Sequence, residues 1–270
     1  MNITAFLSFA GSVWLITFII ALLYQTVMFL FARKLNRDDI VDVGWGFGFV
    51  VVSFAWLALV PAVSSVYVLI LLCVSIWGVR LSYHIGNRFF TKKEEDRRYI
   101  AMKEDWKYKK TRAYFQIFVL QAFLLSIIIL PVVIHANIGL GVWWPFVLIG
   151  FILWCIGFYY QVVGDFQLGV FLKGRKKGMM KEGLWAKTRH PNYFGEMTMW
   201  WGIFVMTLAT FNPIFILVTA LGPVLITLLL RFISGVPMLE KHWEKTYGEE
   251  FAEYKNTVPM LLPKIKTLFK

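Results

Sequence analysis

Residues 183–201 read Gly-Leu-Trp-Ala-Lys-Thr-Arg-His-Pro-Asn-Tyr-Phe-Gly-Glu-Met-Thr-Met-Trp-Trp. A basic, polar run ends at Arg189 and His190, and Pro191 opens an apolar helix. Proline suits the first helical turn, where its missing N–H has no intrahelical partner to lose. Asn192 and Glu196 are four residues apart and share one helix face. An imidazole, a guanidinium, an amide, a phenol (Tyr193) and a carboxylate therefore converge where a helix enters a membrane. Helix N-termini attract anions through free N–H groups and the helix dipole. The stretch reads as a cytoplasmic-side pocket for a large anionic cofactor.

The rest of the chain supports a membrane setting. Of its 270 residues, 59% are hydrophobic, against about half in soluble domains, and the mean hydropathy is +0.64. Trp, Tyr and Phe are plentiful, as two membrane–water interfaces require. The expected fold is an all-α integral membrane protein, residues 1–270 forming one membrane domain of seven transmembrane helices. Span one runs from Ala5 to Phe31, too long for a cleavable leader and with no basic run before it. The other spans are placed at about Ile40–Val60, Val66–Gly86, Ala113–Ile134, Trp143–Gly164, Pro191–Thr210 and Ile214–Ile233.

Charge placement tests this count. Every Lys and Arg falls in the loops after spans one, three and five, in the C-terminal tail, or within about a turn of that membrane face. By the positive-inside rule the N-terminus is outside and the C-terminus cytosolic. The net charge of +12 then belongs to loops facing anionic lipid rather than to nucleic-acid binding. Cys73 and Cys155 lie in apolar runs and read as packing residues. The four histidines have no paired ligand spacing, so no metal is expected. Phosphate-binding glycine loops, dinucleotide fingerprints and serine elbows are absent, so any nucleotide must bind between membrane helices.

Polar residues recur at one depth in several spans. Asp42 follows the start of span two beside Gly44, Gly46 and Gly48, small residues that admit another backbone or a flat ligand. Arg80, Tyr83, His84 and Asn87 form a helical stripe on span three, followed by Arg88. Gln161 and Asp165 share a face of span five. Intramembrane charges normally face a partner or a wet cavity. A structural alternative accompanies each one: Arg80 can pair with Asp42 or Asp165 to hold the bundle, the stripe can be a snorkelling face, and most loop lysines serve topology alone.

At Gly183-Leu-Trp, at Arg189-His-Pro-Asn-Tyr-Phe-Gly-Glu196 and at the tail Tyr247-Gly-Glu-Glu-Phe-Ala-Glu-Tyr254-Lys-Asn256, the chain resembles the steroid 5α-reductase C-terminal family, in its broad bacterial branch. The isoprenylcysteine carboxyl methyltransferases belong to the same superfamily and share the Arg-His-Pro-x-Tyr core. The resemblance implies NADPH held among the C-terminal helices (residues 140–265) and a substrate side in the four N-terminal helices (residues 1–135). It implies hydride transfer to a carbon–carbon double bond conjugated to a ketone, in an inner-membrane enzyme acting on a lipid-like molecule that enters from the bilayer between spans one and two. Cofactor-binding positions carried over are Asn87, Arg88, Gln161, Asp165, Arg175, Arg189, His190, Asn192, Tyr193, Glu196, Tyr254 and Asn256. Asp42 stands for the reductases' span-two Glu. Trp77 stands three residues before Arg80, where the reductases carry a Tyr, so the proton-donor role falls to Tyr83 or His84. The alternatives are an S-adenosylmethionine-dependent methyltransferase and a non-catalytic lipid- or cofactor-binding membrane protein.

Overall fold

A computed structural model describes residues 3–138, 143–174, 178–208 and 213–263. The described residues are helical, with turns and irregular loops and no strand. The long helices are α1 (Ile3–Leu35), α2 (Ile40–Leu59) and α3 (Ser65–Thr91), followed by the short α4 (Arg97–Lys103). Next come α5 (Lys109–Ala113), a π-helical segment (Tyr114–Val119), α6 (Leu120–Ile128) and α7 (Leu130–Ile138). The remainder comprises α8 (Trp144–Lys173), a 3-10 turn (Gly183–Ala186), α9 (Pro191–Thr207), α10 (Pro213–Leu228), a second π-helical segment (Leu229–Ile233), α11 (Val236–Tyr247) and α12 (Glu249–Thr257).

Among the described residues, six helical stretches are long and apolar enough to cross a membrane: Ile3–Leu35, Ile40–Leu59, Ser65–Thr91, Lys109–Ile128, Trp144–Lys173 and Pro213–Tyr247. The chain has the build of a multi-pass membrane protein. The remaining expected span is α9, whose 17 residues reach about 25 Å at 1.5 Å per residue, short of a typical hydrocarbon core of about 30 Å. Helix α3 runs on to Thr91, past the expected boundary at Gly86, and α4 forms inside the expected loop 88–112. His135, expected in a loop, is fully buried in α7. Of the two expected packing cysteines, Cys73 is buried and Cys155 is exposed.

The chain divides into two compact units, Met1–Trp144 with Thr207–Gly222, and Pro145–Met206 with Pro223–Lys270. In the first, α2 packs closely on α3. A Cβ on Gly46 would lie 2.6 Å from the Gly78 carbonyl oxygen, so only glycine permits this approach. Gly44 and Gly48 face α1 instead: Tyr24 and Met28 fill the notch at Gly44, and Tyr24 with Leu125 fill that at Gly48. The notches expected to give room for a flat ligand between spans one and two are therefore filled by side chains. Three donors in this unit find partners as they leave water: Tyr24 donates to the Gly44 carbonyl (2.8 Å), the Trp56 indole to Thr17 (2.9 Å) and Tyr67 to the Ser53 carbonyl (2.7 Å).

In the second unit the α8–α9 pair is set by glycines seven residues apart. Gly150 meets Gly202 and Met206, Gly157 meets Gly195 and Met199, and Gly164 meets Pro191. A Cβ on Gly157 would sit 2.5 Å from the Gly195 carbonyl oxygen. A seven-residue repeat returns to one helix face after two turns, so these glycines form a seam and fix which side chains meet across it.

Candidate functional site

The α8–α9 seam brings four of the expected residues together. Gln161 Nε2 donates to Glu196 Oε2 at 3.3 Å, and Asn192 Nδ2 donates to Asp165 Oδ1 at 3.2 Å. Gln161 and Glu196 are buried, at 2% and 8% exposure, whereas Asp165 and Asn192 are half-buried. Asn192 Oδ1 also accepts from the Tyr193 backbone N–H (3.0 Å), which satisfies a free donor in the first turn of α9. Gln161 Oε1 is buried without a hydrogen-bond partner, an unpaired acceptor beside the Glu196 carboxylate.

Immediately before α9, Arg189 and His190 are also buried. Arg189 donates through Nε to Glu240 Oε1 (2.9 Å) and through Nη1 to the carbonyls of Lys255 (3.1 Å) and Val258 (2.7 Å). His190 Nε2 lies 3.1 Å from the same Glu240 oxygen, and the ring stacks between Tyr193 and Trp243 at 5.6 and 5.0 Å between centroids. Burial holds the His190 pKa below its ordinary value despite Glu240, so at neutral pH the ring is uncharged and its Nε2–H donates to the carboxylate. Arg189 is thus committed to Glu240 and to carbonyls rather than offered to a phosphate.

Tyr254 is buried and donates to the Trp185 carbonyl at 2.5 Å, while the Trp185 indole donates to the Gly164 carbonyl at 3.0 Å. The 3-10 turn is thereby fixed between α8 and α12. Asn256 is exposed, and Arg175 lies outside the described residues.

The first unit holds a separate cluster of charges. Asp42 Oδ1 accepts from the Tyr99 hydroxyl (2.6 Å) and Oδ2 from Arg98 (3.1 Å). A small cleft is lined by Arg37, Asp39, Asp42, Ile85, Arg88, Phe89, Lys92 and Asp96. Arg37 forks onto Asp39, donates to the Phe89 and Lys92 carbonyls that end α3, and lies 3.7 Å from the Phe89 ring centroid. Burial and the Asp42 charge push the Tyr99 pKa well up, so its phenol stays protonated. Of the expected span-three residues, only Arg88 lines this cleft. Tyr83 is 71% exposed, and His84 and Asn87 lie on exposed positions of α3.

Four residues at these sites escape a reading of the sequence: Glu240, Trp243, Arg98 and Tyr99. Glu240, Trp243 and Tyr247 recur at three- and four-residue spacing on α11, a stripe that could have marked its inward face. Arg98 and Tyr99 sit in α4, within a charge-rich stretch of sequence with nothing local to distinguish them.

The chain belongs to DUF1295, a family described as protein of unknown function, which matches residues 28–258. No curated protein and no solved structure matches it.

Proposed function

We propose that this protein is a membrane-embedded NADPH-dependent reductase of a conjugated carbon–carbon double bond in a lipid-like or steroid-like enone, with seven spans, the N-terminus outside and the C-terminus cytosolic. The observation that carries the reading is the α8–α9 seam, where Gln161, Asp165, Asn192 and Glu196 meet in a largely buried polar cluster on the segment that resembles the reductases. The residues suit the polar end of a nicotinamide: Gln161 Oε1 is an acceptor for a carboxamide N–H, and Glu196 and Asp165 accept from further N–H or O–H donors. When bound, the cofactor supplies the hydride, and the protein orients it and excludes water. In this reading the first unit carries the substrate-side acid candidates, with Asp42 held by Tyr99 and Arg98. A positioned acid stabilises the negative charge that develops on the ketone oxygen. Arg189 then serves the site by holding the chain around it, and phosphate contacts fall to lysines at the end of α8 and before α9, such as Lys173 and Lys187.

The commitment of Arg189 to Glu240 favours a second reading. S-adenosylmethionine carries no phosphate, so a methyltransferase of the isoprenylcysteine carboxyl methyltransferase type would need no free arginine there.

Binding of NADPH, NADH and S-adenosylmethionine to protein purified in mild detergent tests both. NADPH binding that is lost in Glu196→Gln, with thermal stability unchanged, is the expected result. Binding of S-adenosylmethionine alone overturns the reductase reading.

A further inference from the structure

Thr188 and Arg189 hold five consecutive or near-consecutive carbonyls of the C-terminal segment. Arg189 Nη1 donates to Lys255 and Val258, the Arg189 backbone N–H to Pro259 (2.9 Å), and the Thr188 hydroxyl is shared by Met260 (3.1 Å) and Leu261 (2.9 Å). Every acceptor is a main-chain oxygen, so the grip depends on the path of the tail rather than on its side chains. Lys255 is in the last turn of α12, where free carbonyls and the negative end of the helix dipole favour a cation. Arg189 therefore caps α12 as well as gripping the chain beyond its end.

This arrangement depends on Glu240. A buried guanidinium needs a counter-charge, and Glu240 Oε1 receives Nε and Nη2 of Arg189 at 2.9 Å each. With those two nitrogens taken, Nη1 is left aimed at the tail. The same oxygen fixes His190, whose ring is clamped between α9 and α11 by Tyr193 and Trp243. The tail's own apolar groups finish the seat: Leu261 and Met260 pack with Tyr193, Met197, Val236 and Leu230. Tyr193 is next to Asn192, so the segment lies against the α9 turn that bears the polar cluster.

We infer that Glu240 is a latch, a positioning residue that holds residues 255–261 as a strap across the start of α9, and that access to this turn is gained by releasing the strap rather than by separating the helices. The inference does not depend on which cofactor the protein binds.

Limited trypsin digestion at the Lys255–Asn256 bond, on full-length protein in detergent and alongside thermal unfolding, tests it. In the folded wild type this bond is protected. In Glu240→Leu it is cut faster, by about tenfold or more, because cleavage follows the population of the open state. Glu240→Leu alone leaves Arg189 buried and uncompensated, so it also lowers the unfolding temperature. The double variant Glu240→Leu/Arg189→Met removes both charges and recovers thermal stability. Its Lys255 bond should remain as fast to cut as in the single variant. Thr188→Val, which leaves the ion pair intact, should speed cleavage by a smaller factor. If cleavage simply follows the unfolding temperature, so that the double variant is protected like the wild type, Glu240 is only a structural counter-ion and the strap is refuted.

Discussion

The two units deal differently with charge at the margin of an apolar bundle. In the first, charges are many and shared. Arg33 and Lys103 both pair with Asp38, Lys103 also meets Glu95 (2.7 Å), Arg37 forks onto Asp39, and Asp96 takes both Arg88 and Arg98. Several members are partly exposed: the Arg88 and Arg98 side chains keep 64% and 49% of their accessible surface. In the second unit one carboxylate, Glu240, serves a buried arginine and a buried histidine at once. The shared, part-solvated outer pairs of that network, Arg88 and Arg98 on Asp96, lose little when one member goes, because neighbours and water compensate. A dry pair has no such reserve. Tolerance is thus expected in the first unit and brittleness in the second.

The sharpest way to break the comparison is Glu240→Leu, which should cost about 3–5 kcal/mol because it strands a buried guanidinium. Thermal unfolding in detergent measures it. A loss as small as that of an exposed ion pair would erase the contrast. Next comes the glycine seam. Gly157→Val drives side-chain carbons into the Gly195 carbonyl and the Met199 backbone, and overpacking of this kind costs about 1–3 kcal/mol or more. Gly11→Val on α1, with nothing within 4 Å of the added Cβ, is the matched control and should cost no overpacking. A smaller effect is expected from Arg88→Met in the first unit. Asp96 keeps Arg98 and the Arg88 side chain is largely solvated, so the loss should stay at about 1 kcal/mol or less, measured in the same unfolding experiment.

The sequence makes some of this legible and hides the rest. Hydropathy and the distribution of Lys and Arg locate the long helices because membrane burial acts on every residue of a span. The pairing of Gln161 and Asp165 with Glu196 and Asn192 is foreshadowed by four-residue spacing on each helix. The register between the helices is written in Gly150, Gly157 and Gly164 against Gly195 and Gly202, and spacing of seven is the signal that carries it. The π-helical segments at 114–119 and 229–233 leave no trace in composition, since one extra residue per turn alters geometry and not hydropathy. Asp42 and Tyr99 are 57 residues apart, and Arg189 and Glu240 are 51 apart. Such contacts are made by the way helices pack, which local periodicity cannot express. The glycines of α2 admit another backbone, one of the two readings their spacing offers: the notches mark places of close approach, and α1 and α3 are what approach.

Acid acts on each unit through a buried histidine, His135 in the first and His190 in the second, and on the carboxylate network of the first only at lower pH. In the second, burial keeps His190 neutral and its pKa below the ordinary value. On acidification the unfolded chain takes up that proton first, near about pH 6.5, while the folded protein resists it. The stabilisation tied to His190 is therefore whole above that pH and declines below it. In the first unit, burial opposes the Asp96 charge, but hydrogen bonds from the Arg98 side chain and backbone, with Arg98 and Arg88 as neighbouring cations, outweigh it and depress the pKa. A depressed carboxylate stabilises above its unfolded value of about 3.9, and the benefit is lost only as pH falls through the lower folded value. Solvent screens Asp96, whose side chain is 22% exposed, so its effect is the smallest of those considered. Unfolding temperatures between pH 7 and pH 3 should show His190→Phe flattening the decline that starts near pH 6.5, and Asp96→Asn flattening only the part below pH 4. If Asp96→Asn alters the upper limb instead, Asp96 is not the arginine-paired, part-solvated carboxylate described, and its contrast with the buried His190 fails.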